Sequence, residues 1–199
     1  DGTLRAEATA FYMRREDQQV ATSFQLEPGD PLSYVFFVDN AASGRNYGLE
    51  ATLQWQATET LALGGSLGWL ETEYLDYRYG DRNLDGRAQA HAPQWQYALH
   101  ADWRARSGLG LRIDVQGVDA FYFDASHDLR SEPYTLVHLS GGWVAERWSL
   151  SLWARNALDE NYAVRGFYFG LEPPDFANTL YVQRGDPRQL GLSFEWRWP

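Results

Sequence analysis

The chain has 199 residues, enough for one domain or for a piece of a larger one. A formal net charge of −10 argues against nucleic acid as a partner, whose phosphates demand a basic surface. The absence of Cys excludes a disulfide framework and a thiolate metal site. Hydrophobic residues make up 44% of the chain, yet mean hydropathy is −0.50, so apolar positions are dispersed among polar ones. No apolar run approaches the ~18 residues of a membrane-spanning helix. A membrane-spanning β-strand needs only about 10 residues of alternating character. Aromatics reach 16%, with 9 Trp and 12 Tyr, which favour membrane–water boundaries. A soluble β-sandwich that binds carbohydrate shares these strand preferences and stays open on composition alone. No basic segment followed by an apolar one opens the chain at Asp1, so either a signal peptide has been removed or the chain is an internal fragment.

Period-2 alternation predicts eight main strands. The first runs from about Thr3 to Val20 and has the weakest pattern. The second, about Arg45 to Gln56, puts Tyr47, Leu49, Leu53 and Trp55 on one face and Asn46, Glu50, Thr52 and Gln54 on the other. The third begins at Leu61, with Leu63, Leu67 and Trp69 opposite Gly64, Ser66 and Gly68. A long polar loop, about Arg78 to Ala92, leads to the fourth, where Trp95, Tyr97, Leu99 and Trp103 oppose His100, Asp102 and Arg104. After a tight Ser107-Gly108 turn, the fifth sets Leu109, Leu111, Ile113 and Val115 against Arg112, Asp114 and Gln116. A loop from about Ser126 to Pro133 precedes the sixth, with Val137, Leu139 and Trp143 opposite His138 and Ser140. The seventh carries Leu150, Leu152 and Ala154 outward, and a long loop from about Ala163 to Pro187 follows. The last alternates Leu190, Leu192, Phe194, Trp196 and Trp198 with Gln189, Ser193, Glu195 and Arg197. The segment from Phe24 to Asn40 is read as an extension of the first two strands.

From the second strand on, connectors alternate short and long, as the periplasmic turns and extracellular loops of outer-membrane barrels do. On that rule Pro199 lies on the periplasmic side and the long loops, including the one near Phe24 to Ser33, lie outside. Two features favour the apolar face outward rather than inward as in a lipocalin. The polar faces carry opposite charges close together, Asp102 with Arg104 and Arg112 with Asp114, which a dry core would not tolerate. Trp55, Trp103, Trp143 and Trp198 fall near the inferred periplasmic ends, as one aromatic girdle requires. The predicted fold is all-β, an antiparallel up-and-down transmembrane β-barrel. Glu50, His100, Asp102, Arg104, Arg112, Asp114, Glu195 and Arg197 are predicted to face its lumen.

Several segments resemble the C-terminal barrel portion of TonB-dependent outer-membrane receptors. Asn46-Tyr47-Gly48-Leu49-Glu50 is similar to a strand with a Gly-x-Glu element, and Leu61 to Tyr74 to the strand that follows. Asn83-Leu84-Asp85-Gly86-Arg87, then Ala92-Pro93, resembles the loop entering the next strand. Ala154 to Tyr162 resembles the near-terminal strand with its Asn-x-x-Asp-x-x-Tyr type ending, and Gly185-Asp186-Pro187-Arg188 the last loop. The chain departs from the family in ending on Pro199 rather than an aromatic residue. Complete receptors have about 22 strands and a plug, so residues 1–199 are expected to be the C-terminal segment of a larger barrel, without the N-terminal plug. The resemblance implies an outer-membrane nutrient receptor or transporter, not an enzyme, whose parent binds an iron chelate, cobalamin or an oligosaccharide in its outer loops. Its implied partners are outer-membrane lipid, the rest of the barrel and plug, TonB, and the small-molecule ligand. A self-contained eight-stranded barrel, acting as enzyme, adhesin or structural protein, and the soluble sandwich are the alternatives.

No cofactor is implied. Asp81, Asn83 and Asp85 with Gly86 resemble the start of a calcium loop, but the closing position holds Ala92 in place of Glu, so a solvated acidic turn is the plainer reading. His91, His100, His127 and His138 lack zinc-motif spacing. His91 and His127 fall in outer loops, where contact with a metal chelate competes with simple solvation. No nucleophile elbow or phosphate loop is present. Tyr34, Phe36, Phe37, Tyr77, Phe121, Phe123, Phe169 and Phe176 join Tyr79, Tyr122, Phe167 and Tyr168 at the upper strand ends, as girdle or as ligand surface. Tyr79, Tyr122, Phe167 and Tyr168, with Arg165 and Arg184 as anion partners, are the candidate ligand-binding residues.

Overall fold

A computed structural model of the chain describes residues 3–27, 30–79 and 81–198. Pro199 and the Phe37 side chain, both invoked above, lie outside the described part, as do residues 28–29 of the loop near Phe24 to Ser33. The strands in chain order are β1 (Leu4–Gln25), β2 (Tyr34–Gln56), β3 (Leu61–Asp76), β4 (Arg78–Tyr79), β5 (Arg82–Asn83), β6 (Trp95–Arg104), β7 (Leu109–Val118), β8 (Tyr134–Val144), β9 (Trp148–Arg155), β10 (Ala163–Phe169), β11 (Thr179–Arg184) and β12 (Gln189–Trp196). Among the described residues the helical content is one short 3-10 turn, Pro31–Ser33.

Eight of these strands form one antiparallel sheet in the order β1-β2-β3-β6-β7-β8-β9-β12. Each neighbour follows its predecessor in the up-and-down manner, and β1 and β12 are the two edges. The sheet is therefore an open arc of wall rather than the closed eight-stranded barrel of the alternative reading. The remaining strands form two hairpins, β4–β5 and β10–β11, inside segments read from sequence as loops.

Register carries the alternation across the whole arc. Trp55 pairs with Leu63, Leu63 with Ala101, Ala101 with Ile113, Ile113 with Leu139 and Leu139 with Ala154. Ala154 in turn meets Leu190. Residues directly opposite share a face, so one face is apolar from edge to edge. It is also exposed: Leu53, Leu67, Leu99, Leu111, Leu139, Leu152 and Leu192 are among its uncovered side chains. An inward-packed lipocalin-like core would bury these residues. Aromatics bound the face at both levels. Tyr47, Trp69 and Trp95 stand in a row at one, with ring centroids 5.9 and 6.3 Å apart. Trp55, Trp103 and Trp143 stand close to the short turns at the other, and Trp148 pairs with Trp196 there. From Trp95 to Trp103 is about 27 Å along β6 and about 21 Å across a membrane at ~40° tilt, close to an outer-membrane apolar band. Beyond Trp69 the face turns charged, with Arg45 paired to Glu73.

The short connectors lie together at one end. In the β7 entry turn Gly108 has φ +96, and a side chain there would also strike the Val144 carbonyl. The other end holds residues 77–79, 81–94, 119–133 and 156–188. β1 and β2 run well past the remaining strands, in line with the expected extension, and their pairing shifts register between Arg15 and Val20. Asp17 takes φ 52 at that bulge. A bulge reverses which parity faces which side, so Tyr12 is exposed on the apolar face while Val20 is buried on the other.

Candidate functional site

The polar face carries a connected charge ladder near the short-turn end. Arg104 Nε donates to Asp102 at 2.8 Å, Arg112 reaches Asp102 at 3.6 Å, and Arg112 Nη2 donates to Asp114 at 2.6 Å. Asp114 pairs in register with both His100 and His138. The His100 ring lies over Gly64, and His138 engages Gln116 at 3.2 Å and the Asn156 amide at 3.1 Å. Glu50 occupies the same face higher up, and Glu195 with Arg197 forms a 3.3 Å pair at the end of β12. Trp153 shares this face, its ring lying across Gly191. Sequence reading passed over it, because one Trp among serines leaves no pattern.

At the long-loop end the connectors fold onto the polar face in layers. Thr72 and Tyr74 belong to the wall. Gln89 packs on them: its amide N–H donates to Thr72 Oγ1 at 3.0 Å, and its side chain donates to Asn46 at 2.9 Å. Val20, Tyr74, Tyr77, Leu84 and Ala125 form a buried cluster with Tyr79 against it. Asp128 then ties two loops together, accepting from Arg82 at 3.0 Å and Arg87 at 2.6 Å. Arg82 also donates to the Ser126 carbonyl at 2.7 Å, and Arg87 to the His127 carbonyl.

These two arginines, Arg87 foremost, hold the Asp128 carboxyl below the usual carboxylate range. A depressed carboxylate contributes stability above its unfolded pKa and loses it as pH falls through the folded value. The link is therefore expected to persist through pH 4–5 and to loosen only in stronger acid. Asp128→Asn removes it at neutral pH. Faster amide exchange at residues 126–128 in that variant, at pH 7, is the check.

His127 is half-buried and engaged on three sides. Its Nδ1 meets Asp124 at 2.5 Å, its Nε2 meets the Asn178 amide at 2.7 Å, and its ring stacks on Tyr168 at 3.6 Å and 15°. His91 packs on Phe121 at 5.4 Å. Partial desolvation and the field of Arg165 hold its imidazole below the ordinary value. In the acidic turn, Asn83 accepts from the Asp85 amide at 3.0 Å and Asp85 from the Tyr77 amide at 2.9 Å. Those oxygens serve the turn, and no group of three or more His, Asp or Glu among the described residues is placed to hold a metal ion.

The proposed ligand residues divide into two sets. Tyr79, Tyr122 and Tyr168 are engaged within the protein. Tyr122 carries the Arg87 guanidinium at 4.0 Å and the Arg130 guanidinium at 5.0 Å. Arg165, Phe167 and Arg184 lie exposed on the β10–β11 hairpin. Arg165 and Phe167 share a face with Tyr181, while Tyr168 is on the opposite face and Arg184 sits at the base across from Ala163. Tyr181 had no signal in sequence, because only the register of the hairpin puts it beside Phe167.

The hairpin root is built by the Asn156 turn. Asn156 is buried, takes φ 47, accepts from the Glu160 amide at 2.9 Å and donates to the Glu160 and Asp186 carbonyls at 2.8 and 3.1 Å. Asp159 accepts from the Arg188 amide at 2.9 Å, and Gly185 leaves room for the Tyr162 ring against its backbone. The opposite end reaches the other side of the arc: a methyl group on Gly170 would touch the Tyr34 ring at 3.4 Å.

An open wall of this kind, apolar on one face and charged on the other with its long loops gathered at one end, is the architecture of a large outer-membrane β-barrel. Residues 1–157 match the family described as TonB dependent receptor-like, beta-barrel, and the chain belongs to that family. The metal-pseudopaline receptor CntO of Pseudomonas aeruginosa is 23% identical over 97% of this chain and 25% of its own length. The ferric yersiniabactin uptake receptor FyuA of Yersinia pestis superposes with a TM-score of 0.74 at 21% identity, over 96% of this chain and 27% of that one. The siderophore receptor PiuA of Acinetobacter baumannii gives 0.71 at 16% identity, over 96% and 25%. The chain thus spans about a quarter of the length of these relatives. They are receptors rather than enzymes, and the family resides in the bacterial outer membrane, so the exposed apolar face is the one that meets lipid.

Proposed function

We infer that the chain is the C-terminal wall of a TonB-dependent outer-membrane receptor that binds a scarce nutrient in its outer loops. Uptake is driven by energy relayed through TonB. The observation that carries this reading is the apolar, aromatic-bounded face backed by a charge ladder, with layered loops at one end only, in a chain of this family. The three relatives described above are named as receptors for metal-pseudopaline, for ferric yersiniabactin and for a siderophore, which favours a metal chelate over cobalamin or an oligosaccharide. The residues 1–199 then form part of a larger barrel, closed by strands beyond β1 and β12, with a plug inside. The ladder of Arg104, Asp102, Arg112 and Asp114, together with Glu50, His100, Glu195 and Arg197, lines the lumen against that plug.

Deleting the gene is expected to abolish TonB-dependent uptake of a metal chelate, and restoring it to recover uptake. Replacing Arg112 and Asp114 together by Ser in the full protein is expected to slow transport while leaving ligand binding at the cell surface intact. Uptake and growth under metal limitation that are indifferent to the gene would refute the receptor reading. Normal transport in the double variant would refute the lumen role alone.

A further inference from the structure

The lipid-facing side of the wall is not smooth. Leu53, Leu67 and Leu99 stand exposed on β2, β3 and β6, while Ala6, Ala8 and Ala51 leave the surface low, and together they line an apolar groove of about 1040 Å³. A second depression of about 430 Å³ continues it past Ala10 to Trp69 and Trp95, sharing Ala8, Ala51 and Leu67 with the first. Register explains the shape: Ala8 lies directly opposite Ala51, with Leu49 and Leu53 two positions to either side on β2. From Ala6 to Tyr12 is about 20 Å along β1 and about 15 Å across a membrane at ~40° tilt, roughly the depth of one leaflet. The groove ends at the aromatic row, where Tyr12 pairs with Tyr47 and Tyr47 meets the Trp69 ring. One step beyond, Arg14 and Arg45 stand directly opposite each other on the same face. Like charges so placed repel. Arg45 is answered by Glu73 on β3, and Glu71, on the same face, accepts from Gln94. Arg14 is held more loosely: Glu16 approaches it at 3.6 Å, longer than a hydrogen bond, and both side chains are more than half exposed.

We propose that this groove and the arginines above it bind one phosphate-bearing lipid of the outer leaflet, with an acyl chain along Ala6, Ala8 and Ala51 and the phosphate on Arg14, Arg45 standing behind it. The occupant is a lipid because the groove is continuous with the face that the membrane covers. The leaflet is the outer one because the arginines lie towards the long-loop end, and they mark the headgroup level because hydrocarbon excludes a cation. The headgroup carries phosphate because an anion between two opposed guanidiniums removes their repulsion, and the arginine fork matches phosphate oxygens. The groove contributes shape rather than hydrophobic transfer, since lipid or detergent covers this face in either case. Van der Waals contact with its low floor favours one chain position over the rest of the wall. The proposal rests on the outer-membrane placement of the chain and not on the receptor reading.

The test is native mass spectrometry of the full-length protein in detergent, titrated with three probes: lipid A carrying its phosphates, the same lipid with its phosphates removed, and inorganic phosphate. The phosphorylated lipid is expected to be retained best. Arg14→Gln is expected to weaken its binding roughly tenfold or more, the loss of a charge-assisted contact. Ala8→Leu combined with Ala51→Leu fills the groove, leaves every charge in place, and is expected to weaken binding roughly threefold or more. Glu16→Gln removes the carboxylate that competes for Arg14 and should tighten binding by roughly two- to fivefold. A merely structural Arg14–Glu16 pair would give no such gain. Equal retention of the phosphate-free lipid overturns the proposal, as does an affinity that either weakening variant leaves unchanged. Displacement of the lipid by equimolar inorganic phosphate also overturns it, since the site would then be one for the free anion. None of these results bears on the receptor reading, which stands or falls with the uptake experiment.

Discussion

An arginine in place of Leu99 should cost about 2–4 kcal/mol of folding stability in a bilayer, the range for a cation at the midplane of an outer-membrane barrel. Leu99 is 53% exposed and sits midway between Trp95 and Trp103, the two aromatic levels of β6. The same arginine one residue earlier, at Ala98, enters the polar face beside Gln116 and is expected to change stability by roughly 0.5 kcal/mol or less. The contrast isolates direction, since propensity and strand position are nearly the same. Urea unfolding of the full-length protein reconstituted in lipid reads both. A fold with its apolar face inward would give large losses at Leu99 in any medium, lipid or not.

Asn156→Ala carries a comparable expected loss, about 2–4 kcal/mol, from two separate causes. Alanine strands the Glu160 amide and the Glu160 and Asp186 carbonyls, all satisfied by one buried side chain. It also places a residue with no helpful polar side chain at φ 47, where asparagine is tolerated. Asn156→Gly relieves the backbone cost and leaves the hydrogen-bond cost, so it should recover roughly 1 kcal/mol. Because Asn156 joins the end of β9 to the approach of β12, the loss should concentrate in the β10–β11 hairpin. Limited proteolysis between residues 163 and 184, faster in Asn156→Ala than in Asn156→Gly, is the expected pattern. Equal resistance in wild type and Asn156→Ala would show that the hairpin is held from elsewhere.

The wall was legible because membrane strands advertise themselves one residue at a time. Leu190 to Trp198 alternates without interruption, and β2, β3, β6 and β7 do nearly as well. The first two strands run well past their clear alternation, as the extension expected from Phe24 to Asn40 anticipates, and β2 begins at Tyr34. The weak pattern of the first strand has a local cause. The bulge around Asp17 reverses the parity, so no single alternation describes β1.

The candidate site was less legible. Phe167-Tyr168-Phe169 reads as an apolar run because both faces of the hairpin are aromatic, one packed on Phe121 and Phe123 and one exposed. Periodicity cannot separate two apolar faces, and it says nothing of Tyr181. His127 looked solvated because its partners Tyr168 and Asn178 come from a distant loop. Asn156 stood inside a recognisable motif, yet its work depends on a backbone conformation and on Asp186, thirty residues away.

The most direct measurement is the environment of single nitroxide labels at positions 97–103 of β6, in the full-length protein in bilayers. Collision with dissolved oxygen reports lipid, and collision with a polar relaxation agent reports water. Labels at Tyr97, Leu99, Ala101 and Trp103 should favour oxygen, with a maximum at Leu99, and labels at Ala98, His100 and Asp102 the polar agent. Reversed phases, or no period of two, would contradict a wall with lipid on one side and a wet lumen on the other.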